Sequence, residues 1–351
     1  MTPLHDLLLR RIRAEGPLTV AEYMATCLQH PQHGYYATRD PLGVSGDFVT
    51  APEISQMFGE LIGLALAQVW LDHGAPEAIL VEFGPGRGTL MSDALRATRG
   101  VAGFHDRVSV HLIESSPVLR AAQAEQLAAF SPSWHDGIST LPERPIFFVA
   151  NEFFDALPIR QFLRDDHGWR ERLIGAERDR LVFGLTDPLP RADLDHRWAE
   201  TQPGDLVETC APATAIASEI GARLATQGGA GLVIDYGSDR SLGDTFQAVR
   251  QHLKTDPLDT PGEADLTAHV DFGALAAAAG GNSALTPQGV FLERLGITAR
   301  AQSLARGLSG PALDSHIAAH RRLTHPDEMG SLFKILGLAS ATGPLPPGFL
   351  E

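Results

Sequence analysis

One short stretch constrains the fold of this chain more than any other: an apolar segment that ends in an acid and runs into a glycine-rich turn. Residues 79–83 are apolar except for Glu82, residues 84–88 read G-P-G-R-G, and amphipathic residues follow from Thr89. Glycine lets the backbone take positive φ and approach a ligand closely. The pattern predicts a buried strand that turns tightly into a helix beside a ligand.

The spacing of the glycines indicates which ligand. Dinucleotide-binding proteins use G-x-G-x-x-G, and the helix that follows binds a pyrophosphate. Here Gly84, Gly86 and Gly88 occupy alternate positions directly after Glu82. This compressed turn suits a nucleoside without phosphate whose amino acid part lies over the turn, and S-adenosylmethionine is such a ligand. We therefore expect these four residues to bind that cofactor.

A second acidic residue supports this expectation. Residues 108–114 read as the next strand and end at Glu114, which lies 30 residues after Gly84. That separation is typical of one βαβ unit, and a carboxylate at such a strand end can accept both ribose hydroxyls. Alternatively, Glu114 is a solvated strand end or caps the helix that starts near Ser115. We favour the ribose role and place Ser115 in the same site, because position and residue type agree.

Composition restricts the class of protein. The chain has 351 residues, of which 44% are hydrophobic and 20% charged, as in ordinary soluble globular proteins. No apolar run approaches the length of a membrane span, and residues 1–15 lack the apolar core of a signal peptide. These features predict a cytoplasmic protein without membrane insertion.

Charge and metal-ligand spacing restrict the partners. The net charge of −15 argues against a nucleic acid, whose phosphates repel an acidic surface. The two cysteines, Cys27 and Cys210, have no partners at zinc spacing, and the histidines show no H-E-x-x-H pattern. We expect reduced thiols and no metal.

Further along the chain, apolar strands alternate with amphipathic helices, which predicts an α/β fold with a parallel sheet covered on both faces. Two helices broken at Gly16-Pro17 begin the chain, and an antiparallel strand over 332–336 closes the sheet. Residues 160–185 alternate like a β-hairpin insertion. Residues 31–52 lack periodicity but contain large apolar side chains, so we interpret them as an ordered loop over the ligand.

The strand over 146–150 leads into the candidate catalytic segment. Asn151, Glu152 and Asp155 follow it, set among two phenylalanines and a proline. Ligands of open α/β sheets bind at the carboxyl ends of strands. Glu152 and Asp155 can hold a guanidinium, and Asn151 can accept a hydrogen bond from the attacking nitrogen. The alternative is a turn in which Asn151 and Asp155 bond their own backbone.

Two weaker candidates complete the predicted cofactor site. Asp47, Phe48 and Thr50 either close the methionine end of the pocket or simply precede a helix. Asp136 either takes the adenine amino group or lies in a surface turn with Gly137.

Several stretches together resemble the MidA family, bacterial relatives of the mitochondrial complex I assembly factor that methylates arginine. The most specific are G-D-F-V-T-A-P-E at 46–53 and N-E-F-F-D-A-L-P at 151–158. Phe83 and Ala51 stand where the family has leucine and serine. The matching stretches run almost from end to end: 33–36, 46–56, 81–90, 151–158, 235–237, 286–289 and 329–334.

The resemblance implies a class I S-adenosylmethionine-dependent methyltransferase fold, Rossmann-like with a mostly parallel seven-stranded sheet. It also implies methylation of an accessible arginine in a respiratory NADH dehydrogenase subunit during assembly, in the bacterial cytoplasm. We expect an N-terminal extension over 1–52, a core over 53–351, and insertions near 160–205 and 289–328. The alternative functions are a small-molecule N- or O-methyltransferase and a cofactor-binding assembly chaperone. The oligomeric state is open.

Overall fold

The computed structural model describes residues 2–38 and 50–349. The α-helices within these residues are α1 (Pro3–Glu15), α2 (Val20–Gln29), α3 (Tyr35–Thr38), α4 (Ala51–Ile54), α5 (Gln56–Asp72), α6 (Thr89–Ala97), α7 (Phe104–Arg107), α8 (Pro117–Gln126), α9 (Ala211–Gln227), α10 (Phe272–Ala279), α11 (Gln288–Arg294), α12 (Ile297–Ala305) and α13 (Pro311–Thr324).

The strands of the same residues are β1 (Leu18–Thr19), β2 (Ala78–Phe83), β3 (Val108–Ile113), β4 (Ser133–His135), β5 (Ile146–Asn151), β6 (Arg160–Asp165), β7 (Gly168–Glu177), β8 (Arg180–Leu185), β9 (Leu206–Thr209), β10 (Gly229–Ser238), β11 (Gln247–Arg250), β12 (Leu253–Thr255), β13 (Asp265–Thr267), β14 (Val270–Asp271), β15 (Asn282–Pro287) and β16 (Phe333–Ala339).

The elements form two compact units. The parallel-sheet unit comprises the described residues of Val49–Phe154, Thr214–Asp239 and Val270–Glu351. The N-terminal unit comprises those of Met1–Phe48, Asp155–Ala213 and Arg240–His269. Two compact units do not show which segments are insertions into a common core. The predicted N-terminal extension over 1–52 and the predicted insertions therefore stay predictions.

The parallel-sheet unit contains a sheet of strand order β15-β16-β10-β5-β2-β3-β4, with β14 added beside β10. Strands β10, β5, β2, β3 and β4 run parallel, whereas β16 is antiparallel to β10 and β15. In this register Phe83 pairs with Ile113 and with Ala150. The residues that follow these three strands therefore emerge at one edge of the sheet.

Burial explains why this sequence forms these elements. Every residue of β2 and β5 is buried, as expected for central parallel strands covered on both faces. Helix α5 is apolar on most sides and joins the same core. It packs so closely on α6 that a Cβ at Gly63 would lie 2.5 Å from the Ala94 Cα, which explains the glycine.

The N-terminal unit is built from antiparallel strands and the first helices. Strands β1, β7, β6 and β9 form one sheet, with β8 paired to β7, and β12-β11-β13 form a second. Thr19 accepts from the Glu22 backbone N–H while Glu22 accepts from that of Thr19, and this capping box starts α2. A separate core of buried residues from α1, α2 and these sheets stabilises the unit.

The sequence predictions mostly agree with these elements. The final antiparallel strand, the break near Gly16 and the hairpin over 160–185 are confirmed. The segment 31–52, which we interpreted as a loop, contains α3 and the start of α4 among its described residues. The small sheet β12-β11-β13 was missed, because its strands are short and lack clear alternation.

Candidate active site

The glycine turn after β2 has the backbone that the sequence predicted. Gly84, Gly86 and Gly88 take φ values of +60°, +56° and +84°, in the region that favours glycine. Gly88 is the N-cap of α6. A Cβ at Gly84 would lie 3.0 Å from Phe153 Cδ2, so the turn packs against the aromatic segment that follows β5.

Glu82 lies directly before this turn and is 3% exposed. Burial raises the pKa of its carboxyl well above the usual value, and a hydrogen bond from the Met91 backbone opposes that shift. No described residue bonds to Glu82 Oε2. A buried carboxyl oxygen beside a glycine turn can bond an ammonium or a hydroxyl of a bound ligand.

Glu114 follows β3 at the same edge of the sheet and is also buried. Its Oε1 accepts from the Ser116 backbone N–H at 2.8 Å, and its Oε2 accepts from Gln123 Nε2 at 3.3 Å. Burial raises the pKa of this carboxyl, while the bonds from Ser116 and Gln123 lower it. The alternative of a solvated strand end is therefore wrong for Glu114, although Glu114 does bond Ser116, the N-cap residue of α8. Ser115 beside it is exposed.

Asp136 follows β4 and is exposed. Its side chain is 86% exposed and pairs with Arg120, whose Nη2 lies 2.5 Å from Asp136 Oδ1. The contact is compatible with a surface turn, and the adenine role stays a prediction.

The segment after β5 brings together two polar side chains. Asn151 Nδ2 and the Ala51 backbone N–H each donate to Glu152 Oε1 at 3.2 Å. Asn151 is 9% exposed, and its Oδ1 has no partner among the described residues. Glu152 has φ +50°, a left-handed conformation that costs a non-glycine residue about 1–2 kcal/mol. Such outliers persist where the surroundings impose them, typically at functional sites.

Asp235, in the last half of β10, fixes this segment and was missed as a site residue. It is fully buried, and its Oδ2 accepts from the Phe154 backbone N–H at 3.1 Å while its Oδ1 accepts from that of Tyr236 at 2.9 Å. The sequence signal was present, because an acid ends a buried strand there as at Glu82 and Glu114.

Asp155 belongs to the N-terminal unit, whereas Asn151 and Glu152 belong to the parallel-sheet unit. It is 6% exposed, and its backbone carbonyl accepts from the Ala268 N–H at 3.0 Å. Within the N-terminal unit, the Tyr36 hydroxyl donates to Asp265 Oδ1 at 2.8 Å. Burial, then the charges of Asp265 and Asp155, raise the pKa of Tyr36 well above its usual value.

Of the predicted residues upstream of α5, only Thr50 is described, since Asp47 and Phe48 lie outside the described residues. Thr50 is the N-cap of α4 but makes no side-chain capping bond. Its neighbour Glu53 was missed: Glu53 Oε1 accepts from Thr89 Oγ1 at 2.6 Å and so holds the first residue of α6.

Comparison with known families identifies the reaction class and the cofactor of this chain. The family model of S-adenosyl-L-methionine-dependent methyltransferases matches residues 61–291, which is more than half of the chain. The chain belongs to this family. The predicted fold class, the activity as a methyltransferase and the cofactor S-adenosyl-L-methionine are confirmed.

Relatives of this methyltransferase match nearly its whole length. Protein arginine methyltransferase NDUFAF7, mitochondrial, from Bos taurus and its counterpart from Homo sapiens are each 38% identical over 370 residues, covering 96% of this chain and 83% of the relative. The crystal structure of a Burkholderia thailandensis protein bound to S-adenosyl-homocysteine has a TM-score of 0.81 at 29% identity, covering 96% of this chain and 92% of that one.

These relatives also correct one prediction. The expected location in the bacterial cytoplasm is wrong, because the arginine methyltransferases that this chain resembles, the NDUFAF7 proteins, are mitochondrial proteins of eukaryotes. Among the described residues, no helix is long and apolar enough to cross a bilayer, and no group of three acidic, histidine or cysteine side chains could hold a metal ion.

Proposed function

We propose that this methyltransferase transfers the methyl group to an arginine of a protein. The observation that carries the proposal is the pair at the carboxyl end of β5. There the Glu152 carboxylate, in a left-handed backbone, lies beside the buried Asn151 Oδ1, which has no partner among the described residues. A guanidinium carries a positive charge and several N–H donors, which are complementary to a carboxylate and an amide oxygen. The names of the NDUFAF7 relatives support the same acceptor.

The cofactor residues of this proposal lie along one edge of the parallel sheet. Glu82 bonds the amino acid part of S-adenosylmethionine, the glycine turn lets it approach the backbone, and Glu114 accepts from the ribose hydroxyls. Further contacts are proposed for Thr50, Ser115, Asp136, Asp47 and Phe48.

The acceptor residues align the guanidinium and help remove a proton. In methyl transfer, a guanidinium nitrogen forms a bond to the methyl carbon as the bond from that carbon to the sulfonium sulfur breaks, and one proton leaves the nitrogen. Asn151 Oδ1 accepts from the attacking nitrogen and orients it, while Glu152 holds the cation and is placed to receive the proton. The role predicted for Asp155, a second carboxylate for the cation, stays part of the proposal.

We further propose that the acceptor is a subunit of a respiratory NADH dehydrogenase, presented before assembly on a flexible segment. A disordered tail can place an arginine in a pocket that a flat folded surface cannot enter. The net charge of −15 favours encounter with a basic tail, and that attraction weakens with salt.

The test offers three acceptors to the same enzyme: a tail peptide with one arginine, the assembled complex, and free arginine. A matched peptide with lysine in place of arginine is the control. We expect methylation of the arginine peptide alone, read by mass spectrometry. Preferential methylation of free arginine would instead support a small-molecule methyltransferase, and cofactor binding without transfer to any acceptor would support a chaperone.

A second experiment addresses the natural acceptor. Arginine methylation is compared by mass spectrometry in cells with and without the enzyme. We expect one or a few arginine sites to lose methylation, within NADH dehydrogenase subunits. Unchanged methylation of those subunits would refute the choice of partner and leave the arginine chemistry to the peptide experiment.

A further inference from the structure

A buried glutamine connects two parts of the cofactor site. Gln123, on α8, is completely buried, and its Nε2 donates to the Gly86 carbonyl oxygen at 2.7 Å and to Glu114 Oε2 at 3.3 Å. The first acceptor belongs to the glycine turn after β2, and the second follows β3. One side-chain amide therefore joins the two elements that the proposed function assigns to the amino acid part and the ribose of the cofactor.

Trp134 fixes the orientation of this amide. Its indole Nε1 donates to Gln123 Oε1 at 2.8 Å. An indole N–H can only donate, so the amide must turn its oxygen toward Trp134 and its NH₂ group toward Gly86 and Glu114. The reverse orientation would bring the amide oxygen against two acceptors and leave the indole N–H facing an NH₂ group, so it is excluded.

The bond to Glu114 also affects the charge of that carboxyl. Burial favours the neutral form of Glu114, whereas the bonds from Ser116 and Gln123 and the charge of Arg120 favour the carboxylate. A carboxylate accepts from both ribose hydroxyls, while a protonated carboxyl keeps one oxygen as a donor. Gln123 thus supports the form of Glu114 that the ribose needs.

We propose that Gln123 is a positioning residue for S-adenosylmethionine, which holds the glycine turn and Glu114 in the geometry for cofactor binding and is itself oriented by Trp134. The inference rests on the proposed cofactor role of Glu114. It does not depend on the identity of the methyl acceptor.

The experiment titrates S-adenosylmethionine into Gln123→Ala, Trp134→Phe and Gln126→Ala by calorimetry between pH 5.5 and 8, with thermal unfolding as the measure of folding. Gln126 is an exposed glutamine on the same helix and provides the matched control. We expect Gln123→Ala to weaken binding at pH 7 by about tenfold or more, the loss of roughly one hydrogen bond. We expect Trp134→Phe to weaken it less, because the amide is kept but can rotate, and Gln126→Ala to bind like the parent.

The pH profile separates positioning from a merely structural role. Without the Gln123 bond the pKa of Glu114 rises further. On acidification, the affinity of Gln123→Ala for S-adenosylmethionine should therefore begin to fall at a higher pH than that of the parent. A structural role would lower affinity equally at every pH.

Parental affinity in Gln123→Ala, or an unshifted pH profile, would overturn the inference. If Gln123→Ala does not fold, Trp134→Phe should show the same shift of the pH profile at smaller amplitude. A parental pH profile in Trp134→Phe would then overturn the inference. Glu114→Gln tests the underlying assignment: parental affinity in that variant would remove Glu114 from the cofactor site and the inference with it.

Discussion

Replacing Glu152 by glutamine separates the proposed acceptor chemistry from cofactor binding. The amide keeps the side chain's shape and an oxygen that can accept from the Ala51 and Asn151 N–H groups. It loses the negative charge that would hold a guanidinium. A hydrogen bond to a charged group contributes about 1.5–3 kcal/mol and a neutral one about 0.5–1.5 kcal/mol, so each bond weakens by about 1–1.5 kcal/mol.

These values set the expected magnitudes. Two weakened bonds to a guanidinium correspond to a loss of about 3 kcal/mol, or roughly a 100-fold lower kcat/KM. The hydrogen bonds that Ala51 and Asn151 donate to residue 152 also weaken, because their acceptor loses its charge. The free energy of unfolding should therefore fall by about 2 kcal/mol. The affinity for S-adenosylmethionine should stay close to parental, because Glu152 lies outside the glycine turn.

The assay measures kcat/KM on an arginine peptide, cofactor affinity by calorimetry, and stability by urea unfolding. Glu143→Gln is the matched control, since Glu143 is exposed on the loop before β5 in the same unit. Glu152→Gly adds a second comparison: it should be equally inactive, and relief of the left-handed backbone should offset about 1 kcal/mol of the stability that is lost with the two hydrogen bonds. A parental kcat/KM in a folded Glu152→Gln enzyme would refute the proposed role of this carboxylate.

Three further predictions use other parts of the parallel-sheet unit. Gly86→Val should abolish cofactor binding in a folded protein, because a branched side chain is strained at φ +56°; calorimetry showing parental affinity would contradict this. Asp235→Ala should lower the free energy of unfolding by at least about 2 kcal/mol and reduce methyl transfer, since it leaves the buried Phe154 N–H unpaired; a change in urea unfolding below about 0.5 kcal/mol would contradict it. In His111→Gln the free energy of unfolding should fall less steeply on acidification than in the parent. Burial and His135 lower the pKa of His111 from 6.5 to about 4, so its contribution is complete above pH 6.5 and is lost as the pH falls toward 4. Equal slopes of unfolding free energy against pH in variant and parent would refute this.

The sequence was informative wherever neighbouring residues decide the structure. The glycine turn was predictable because positive φ and the approach of a ligand both depend on residues within five positions. The alternation of apolar strands and amphipathic helices likewise predicted a parallel sheet with an antiparallel last strand. In a parallel sheet the strand ends share one edge, which is why Glu82, Glu114 and Asn151 could be predicted to lie at one edge before their geometry was known.

Tertiary structure decided the contacts between residues that are distant in the chain. Gln123 reaches Gly86 across 37 positions, and Asp235 holds Phe154 across 81. No local pattern marks such a partner, because a buried glutamine or aspartate is tolerated only when folding brings donors and acceptors to it.

The same distinction explains what became of the candidate catalytic residues. Asn151, Glu152 and Asp155 lie within five positions, yet the first two belong to the parallel-sheet unit and Asp155 to the N-terminal unit. The left-handed backbone of Glu152 was equally invisible in the sequence, since its local preference opposes it. By itself, the sequence determined the order of the strands and turns of the parallel sheet and the chemical groups at their ends. Only the folded chain decided which of those groups meet, because hydrogen bonds and burial depend on distances in space rather than along the chain.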